Sequence, residues 1–139
     1  MEPYTHHVQY YETDRMGITH HSNYIRWMEE ARVDFLARIG WSYDKLEAAG
    51  IVSPVTAAEC KYLSPTTFAD QVTIRLEVES FNGVTLHLLY QMHKADGTLC
   101  CIGHTEHCFL NREGRFLRLR REFPDFYHTL EAMTPSPQP

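Results

Sequence analysis

Between Tyr10 and Tyr24 the chain carries two carboxylates, two histidines and three tyrosines. A run so dense in titratable and hydrogen-bonding side chains suits acid–base or nucleophilic work on a polar bond. The apolar spacing after Ser22 predicts that the run ends at a helix start, where unpaired backbone N–H groups and the positive end of the macrodipole face outward. Such an end stabilises the oxyanion that develops in acyl transfer. Asp14, seven residues before His21, can fold back to it as nucleophile or as general base on water. The same residues also have a structural reading. Asp14 then serves as a turn or capping residue, His20 and His21 as solvated helix-start residues, and Tyr10 as sheet packing.

The elements that must position these residues are legible from periodicity. Val8 to Tyr11 reads as a short first strand, and the loop Glu12 to Thr19 contains Gly17, a natural break. From about Ser22 to Ile39, Tyr24, Trp27, Met28, Ala31 and Phe35 recur at steps of three and four. The pairs Arg26/Glu30 and Asp34/Arg38 fall on the polar side, and Gly40 stops the helix. Ser42 caps a second helix through Ala49, closed by Gly50. Beyond Gly50 the period becomes two: Val72, Ile74, Leu76, Val78, then Val84, Leu86, Leu88, Tyr90, Met92 alternate with polar residues. Asn82-Gly83 and Asp96-Gly97 are hairpin dipeptides, and Gly114 marks a third turn. Strands are expected over Val52 to Leu63, Leu99 to Leu110 and Arg115 to Arg120, and a closing helix over Glu122 to Met133, started near Pro124. The result is one α+β domain over residues 1–133, with an antiparallel sheet of about five to six strands wrapped around the long helix, and a disordered Pro-rich tail over 134–139. One sheet with one helix leaves edges uncovered, so edge-to-edge dimerisation is expected.

A hydrophobic share of 43% and a charged share of 22% are those of a globular protein, which excludes disorder away from the ends. The net charge of -5 offers no basic field for nucleic acid. No apolar stretch approaches the roughly 20 residues of a membrane helix, and the first residues lack the features of a secretion signal, so a cytoplasmic protein without membrane insertion is expected. Cys100 and Cys101 are adjacent and point to opposite faces of a strand, so the four cysteines read as free thiols. Among nine histidines the densest cluster is His104 to Cys108, whose spacing matches no zinc motif, and no metal is expected.

The run Tyr10, Asp14, Gly17, Ile18, His21 and Tyr24 resembles the signature of the 4-hydroxybenzoyl-CoA thioesterase branch of hotdog proteins, which includes the Tol-Pal-associated acyl-CoA thioesterases. The helix Asn23 to Arg32, Tyr62-Leu63-Ser64-Pro65 and Asp70 continue the similarity, with departures at Arg15-Met16 and Thr19-His20. The resemblance implies a hotdog fold and hydrolysis of an acyl-CoA, short or medium-chain or aromatic, with coenzyme A as part of the substrate and no separate cofactor. It assigns the catalytic carboxylate to Asp14 and carbonyl polarisation to the N–H of His21, with the amide of Gly17 nearby and Tyr10 as a further catalytic residue. Arg15 is read as a salt-bridge partner for Asp14, and Trp27, Met28, Phe35 and Tyr62 either line the acyl pocket or are simply core. Arg112, Arg115, Arg118, Arg120 and Arg121 are candidates for the CoA phosphates or form a solvated face, and a homotetramer, a dimer of dimers, is expected. A hotdog hydratase or dehydratase and a non-catalytic acyl-CoA-binding protein are the competing expectations.

Overall fold

In the computed structural model, which describes residues 1–135, the long helix α1 runs over Ser22–Arg38. Its three- and four-residue spacing buries Tyr24, Trp27, Met28, Ala31, Phe35 and Leu36 on one side. That stripe lies on a five-stranded sheet made of β1 (Tyr4–His7), β2 (Val55–Tyr62), β3 (Gln71–Phe81), β4 (Thr85–Lys94) and β5 (Leu99–Cys108). The strand order is β1-β3-β4-β5-β2, antiparallel throughout, with β1 and β2 on the edges. Val72, Ile74, Val78, Leu86, Leu88, Tyr90 and Met92 supply the sheet's share of the core. Gly103 of β5 leaves room for Met28, whose sulfur occupies the space a side chain there would need.

The tight turns follow their dipeptides. Asn82 accepts from the N–H groups of Val84 and Thr85 at 2.9 and 2.8 Å, and Gly83 and Gly97 sit at φ 90 and 87. Helix α2 (Tyr43–Ala49) starts where Ser42 Oγ accepts from the Lys45 N–H and ends at Gly50 with φ 78. The chain closes with a short α3 (Leu119–Glu122) and α4 (Pro124–Met133), which brings Phe126 and Leu130 into the core. All four cysteines are free thiols.

Two elements differ from expectation. The first strand is Tyr4–His7, while Tyr10–Glu12 winds into a 3-10 turn because the Glu12 carboxylate reaches back to the Gln9 N–H at 2.8 Å. The expected strand Arg115 to Arg120 does not form. Phe116 makes one isolated bridge to Leu110, and the Glu122 carboxylate accepts from the Arg118 N–H at 2.7 Å, which caps a helical turn in its place. The Pro-rich tail expected over 134–139 falls from residue 136 onward outside the described residues.

Candidate active site

Residues Thr13 to Thr19 form a small hairpin, with Thr13 bridged to Thr19 and the Asp14 N–H donating to the Ile18 carbonyl at 2.8 Å. Gly17, at φ 80, supplies the left-handed position that closes it. The hairpin is docked on the loop before β3. Thr67 Oγ1 donates to the Gly17 carbonyl at 2.7 Å, and the Thr19 N–H donates to Thr66 O at 2.8 Å. Thr66 Oγ1 in turn meets Thr19 Oγ1 at 2.6 Å and Tyr24 Oη at 3.0 Å, so the hairpin, the loop and the start of α1 share one buried hydroxyl cluster.

Against this hairpin lies a cavity of about 380 Å³ whose wall includes Asp14, Ile18, His21, Tyr24, Tyr62 and Pro65. Asp14 is half-buried, and its Oδ1 accepts from the Met16 N–H at 2.8 Å. Among the described residues no acceptor meets the His21 N–H, whereas the Asn23 and Tyr24 N–H groups are taken by the carbonyls of His20 and His21. The cavity thus brings Asp14 together with His21, the residue at the positive end of α1 whose amide is unpaired among the described residues. Tyr62 meets Tyr24 edge-on at 5.2 Å, closing the wall with aromatic surface. Burial, followed by the neighbouring Cys60 thiol, pushes the Tyr62 phenol up to about 12, so it faces the cavity as a neutral hydroxyl.

The structure brings Asp14 and His21 together but leaves other anticipated residues apart. Tyr10 is 76% exposed with its ring edge-on to Phe68 at 5.7 Å, and it does not line the cavity. The Gly17 N–H donates to the Asp14 carbonyl at 3.0 Å, so its amide is already engaged in the turn. Arg15 makes no ion pair with Asp14 among the described residues, because the local turn offers Asp14 the Met16 amide instead. Of the four residues expected either at the acyl wall or in the core, Tyr62 lines the cavity, and Trp27, Met28 and Phe35 are core. The arginines are also remote. Arg112 donates to the Glu47 carbonyl at 2.8 Å, and Arg115 follows the Gly114 turn with its backbone on Asn111. Arg118, Arg120 and Arg121 line a groove of about 760 Å³ beside the β3–β4 turn, at the other end of β4 from Lys94, which donates to Pro65 O at the cavity wall.

Glu12 is the residue that spacing did not single out. It is 5% exposed, with Oε1 accepting from His6 Nε2 at 2.8 Å and Oε2 from Trp27 Nε1 at 2.8 Å. Burial alone would raise its carboxyl, but hydrogen bonds from Gln9, His6 and Trp27 hold it below the usual range. In the His104 to Cys108 cluster, His104 pairs with Glu79 at 3.1 Å and Glu106 with His87 at 3.6 Å, while His107 points into the core. No group of three or more His, Cys, Asp or Glu is arranged to hold a metal ion among the described residues. Among them, too, no helix is long and apolar enough to cross a membrane.

The sheet packed on α1 is a hotdog fold, and the comparisons define the class as thioester hydrolases. Residues 8–133 match the thioesterase-like superfamily, and the chain belongs to that family. It is 30% identical over 125 residues to YneP of Bacillus subtilis (strain 168), named as a candidate acyl-CoA thioesterase, covering 89% of this chain and 91% of that one. It is 28% identical over 92 residues to the acyl-CoA thioester hydrolase YbgC of Escherichia coli O157:H7, covering 66% of this chain and 69% of that protein. The crystal structure of a DHNA-CoA thioesterase from Staphylococcus aureus superposes with a TM-score of 0.90 at 30% identity, covering 94% of this chain and 89% of that one.

Proposed function

We propose that this enzyme hydrolyses an acyl-CoA, short or medium-chain or aromatic, to the free acid and CoA, as members of the 4-hydroxybenzoyl-CoA and Tol-Pal-associated branch do. The observation that carries this reading is the cavity shared by Asp14 and His21, whose amide is unpaired among the described residues. The thioester carbonyl accepts from the His21 N–H, where the α1 dipole stabilises the oxyanion. Asp14 then acts by one of two routes. Its carboxylate attacks the carbonyl carbon and expels the CoA thiolate, leaving an anhydride that water cleaves, or it takes a proton from water that attacks directly. The apolar, aromatic wall of Ile18, Tyr24, Tyr62 and Pro65 suits the acyl group.

Edge strand β2 is exposed along most of its length and leaves its outer hydrogen-bonding groups free of the sheet. Antiparallel pairing of β2 with its copy covers that edge and reverses the second sheet end to end. The arginine groove of one protomer then sits at the same end of the joined sheet as its partner's Asp14 cavity, in reach of the CoA phosphates. Two such dimers associate as a tetramer in the cytoplasm. Thiol release measured across short, medium and aromatic acyl-CoA esters, with light scattering on the same sample, tests the reading. Absence of thiol release with every ester, or a monomer at micromolar concentration, contradicts it.

A further inference from the structure

We infer that Glu12 is a positioning residue, whose buried carboxylate fixes the foot of the Asp14 hairpin against α1. The inference rests on the reading of Asp14 as the reacting carboxylate.

A carboxylate this deeply buried is costly unless its charge is met. Glu12 is met by three donors from three directions. The His6 ring comes from β1, the Gln9 N–H from the turn before it, and the Trp27 indole from the second turn of α1. Its main chain does as much. The Glu12 carbonyl accepts from the His20 N–H at 2.8 Å and from Asn23 Nδ2 at 3.0 Å. Glu12 and His20 are the residues just outside the Thr13–Thr19 bridge, so these contacts clamp both ends of the hairpin that carries Asp14. The residue that clamps the hairpin is therefore also bonded to the helix whose first turn offers the His21 amide. A shift of Glu12 moves the carboxylate of Asp14 relative to that amide, and a misplacement of about 1 Å is enough to slow a reaction on the order of a hundredfold.

Glu12→Gln keeps the shape of the side chain, but its NH2 cannot accept, which orphans at least one donor. The expected result is a fall in kcat of at least about tenfold with KM within about twofold, since ground-state binding of the CoA arm is untouched. Without any substrate, and well below the variant's lowered melting temperature, exchange of the Asp14 amide with solvent should accelerate severalfold more than exchange of the amides of the central strands β3 and β4. Parent-like kcat, or unchanged Asp14 exchange, in a folded Glu12→Gln protein overturns the inference. So does a loss of activity that merely follows the fraction unfolded. Should that variant not fold, Trp27→Phe deletes the one donor to Oε2 and leaves the carboxylate, and faster Asp14 exchange with lowered kcat is again required. The exchange measurement needs no turnover, so its outcome is read separately from whether Asp14 is the catalytic group.

Discussion

Tyr62, the last residue of β2, donates its hydroxyl to the main-chain carbonyl of His21 at 3.2 Å, so the edge strand and the start of α1 brace one another across the cavity. The bond orients the peptide next to the amide proposed to face the thioester. Tyr62→Phe keeps the ring contacts with Tyr24 and removes only this bond, worth about 1 kcal/mol. A roughly fivefold fall in kcat with little change in melting temperature is expected, and steady-state kinetics with thermal unfolding on one preparation checks it.

Asp14→Asn keeps shape and turn-forming capacity but removes the charge that either route requires. A fall in kcat of at least about a hundredfold is expected, with KM little changed. An Asp14 that only stabilises its turn would lose at most about 1 kcal/mol on the same substitution and keep its turnover, so wild-type hydrolysis by the folded variant removes Asp14 from the reaction.

His107 is fully buried, with Nδ1 lacking a partner among the described residues and Nε2 at 2.7 Å from Thr105 Oγ1. Burial, reinforced by the Arg32 guanidinium, disfavours its cation and lowers its pKa from 6.5 to about 4. The unfolded chain therefore binds this proton more readily than the folded one between those two values. Stability contributed by the neutral ring is complete above pH 6.5 and is lost as pH falls toward 4, by up to about 3 kcal/mol. Melting temperature followed from pH 7.5 to 4.5 should fall, and His107→Leu should flatten that dependence. The depressed Glu12 carboxyl also destabilises the fold in acid, at lower pH, and its share persists in the variant.

Gly103→Ala places a methyl group where the Met28 sulfur lies, in a site where Met28 is 1% exposed. A loss of about 1–3 kcal/mol is expected from overpacking. Met28→Ala opens the same space, so the double variant should be less destabilised than the sum of the two singles, which a double-mutant cycle in denaturant measures.

Much of this molecule was readable where the controlling interaction is local. Asn82-Gly83, Asp96-Gly97 and Ser42 through Gly50 form the turns and helix their residues prefer, and the stripe from Tyr24 to Phe35 lies inward as its spacing demands. Asp14 and His21 share a cavity, as their placement before a helix suggested. What sequence spacing could not convey came from distant partners. Tyr4–His7 has no apolar alternation to announce a strand and is held by pairing with β3. Glu12 looks like one more loop carboxylate until Trp27 and His6 arrive from other elements to bury it. The arginines look alike in the sequence, but only the fold shows that three of them share a groove away from Asp14.

Met16 and Leu63 line the cavity while remaining 76% and 46% exposed, and neither belongs to the core. Substitution at such positions carries little folding penalty, usually within about 0.5 kcal/mol. On the proposed reading, single changes at Met16 or Leu63 reshape the cavity wall next to Asp14 while leaving the core that holds the fold untouched.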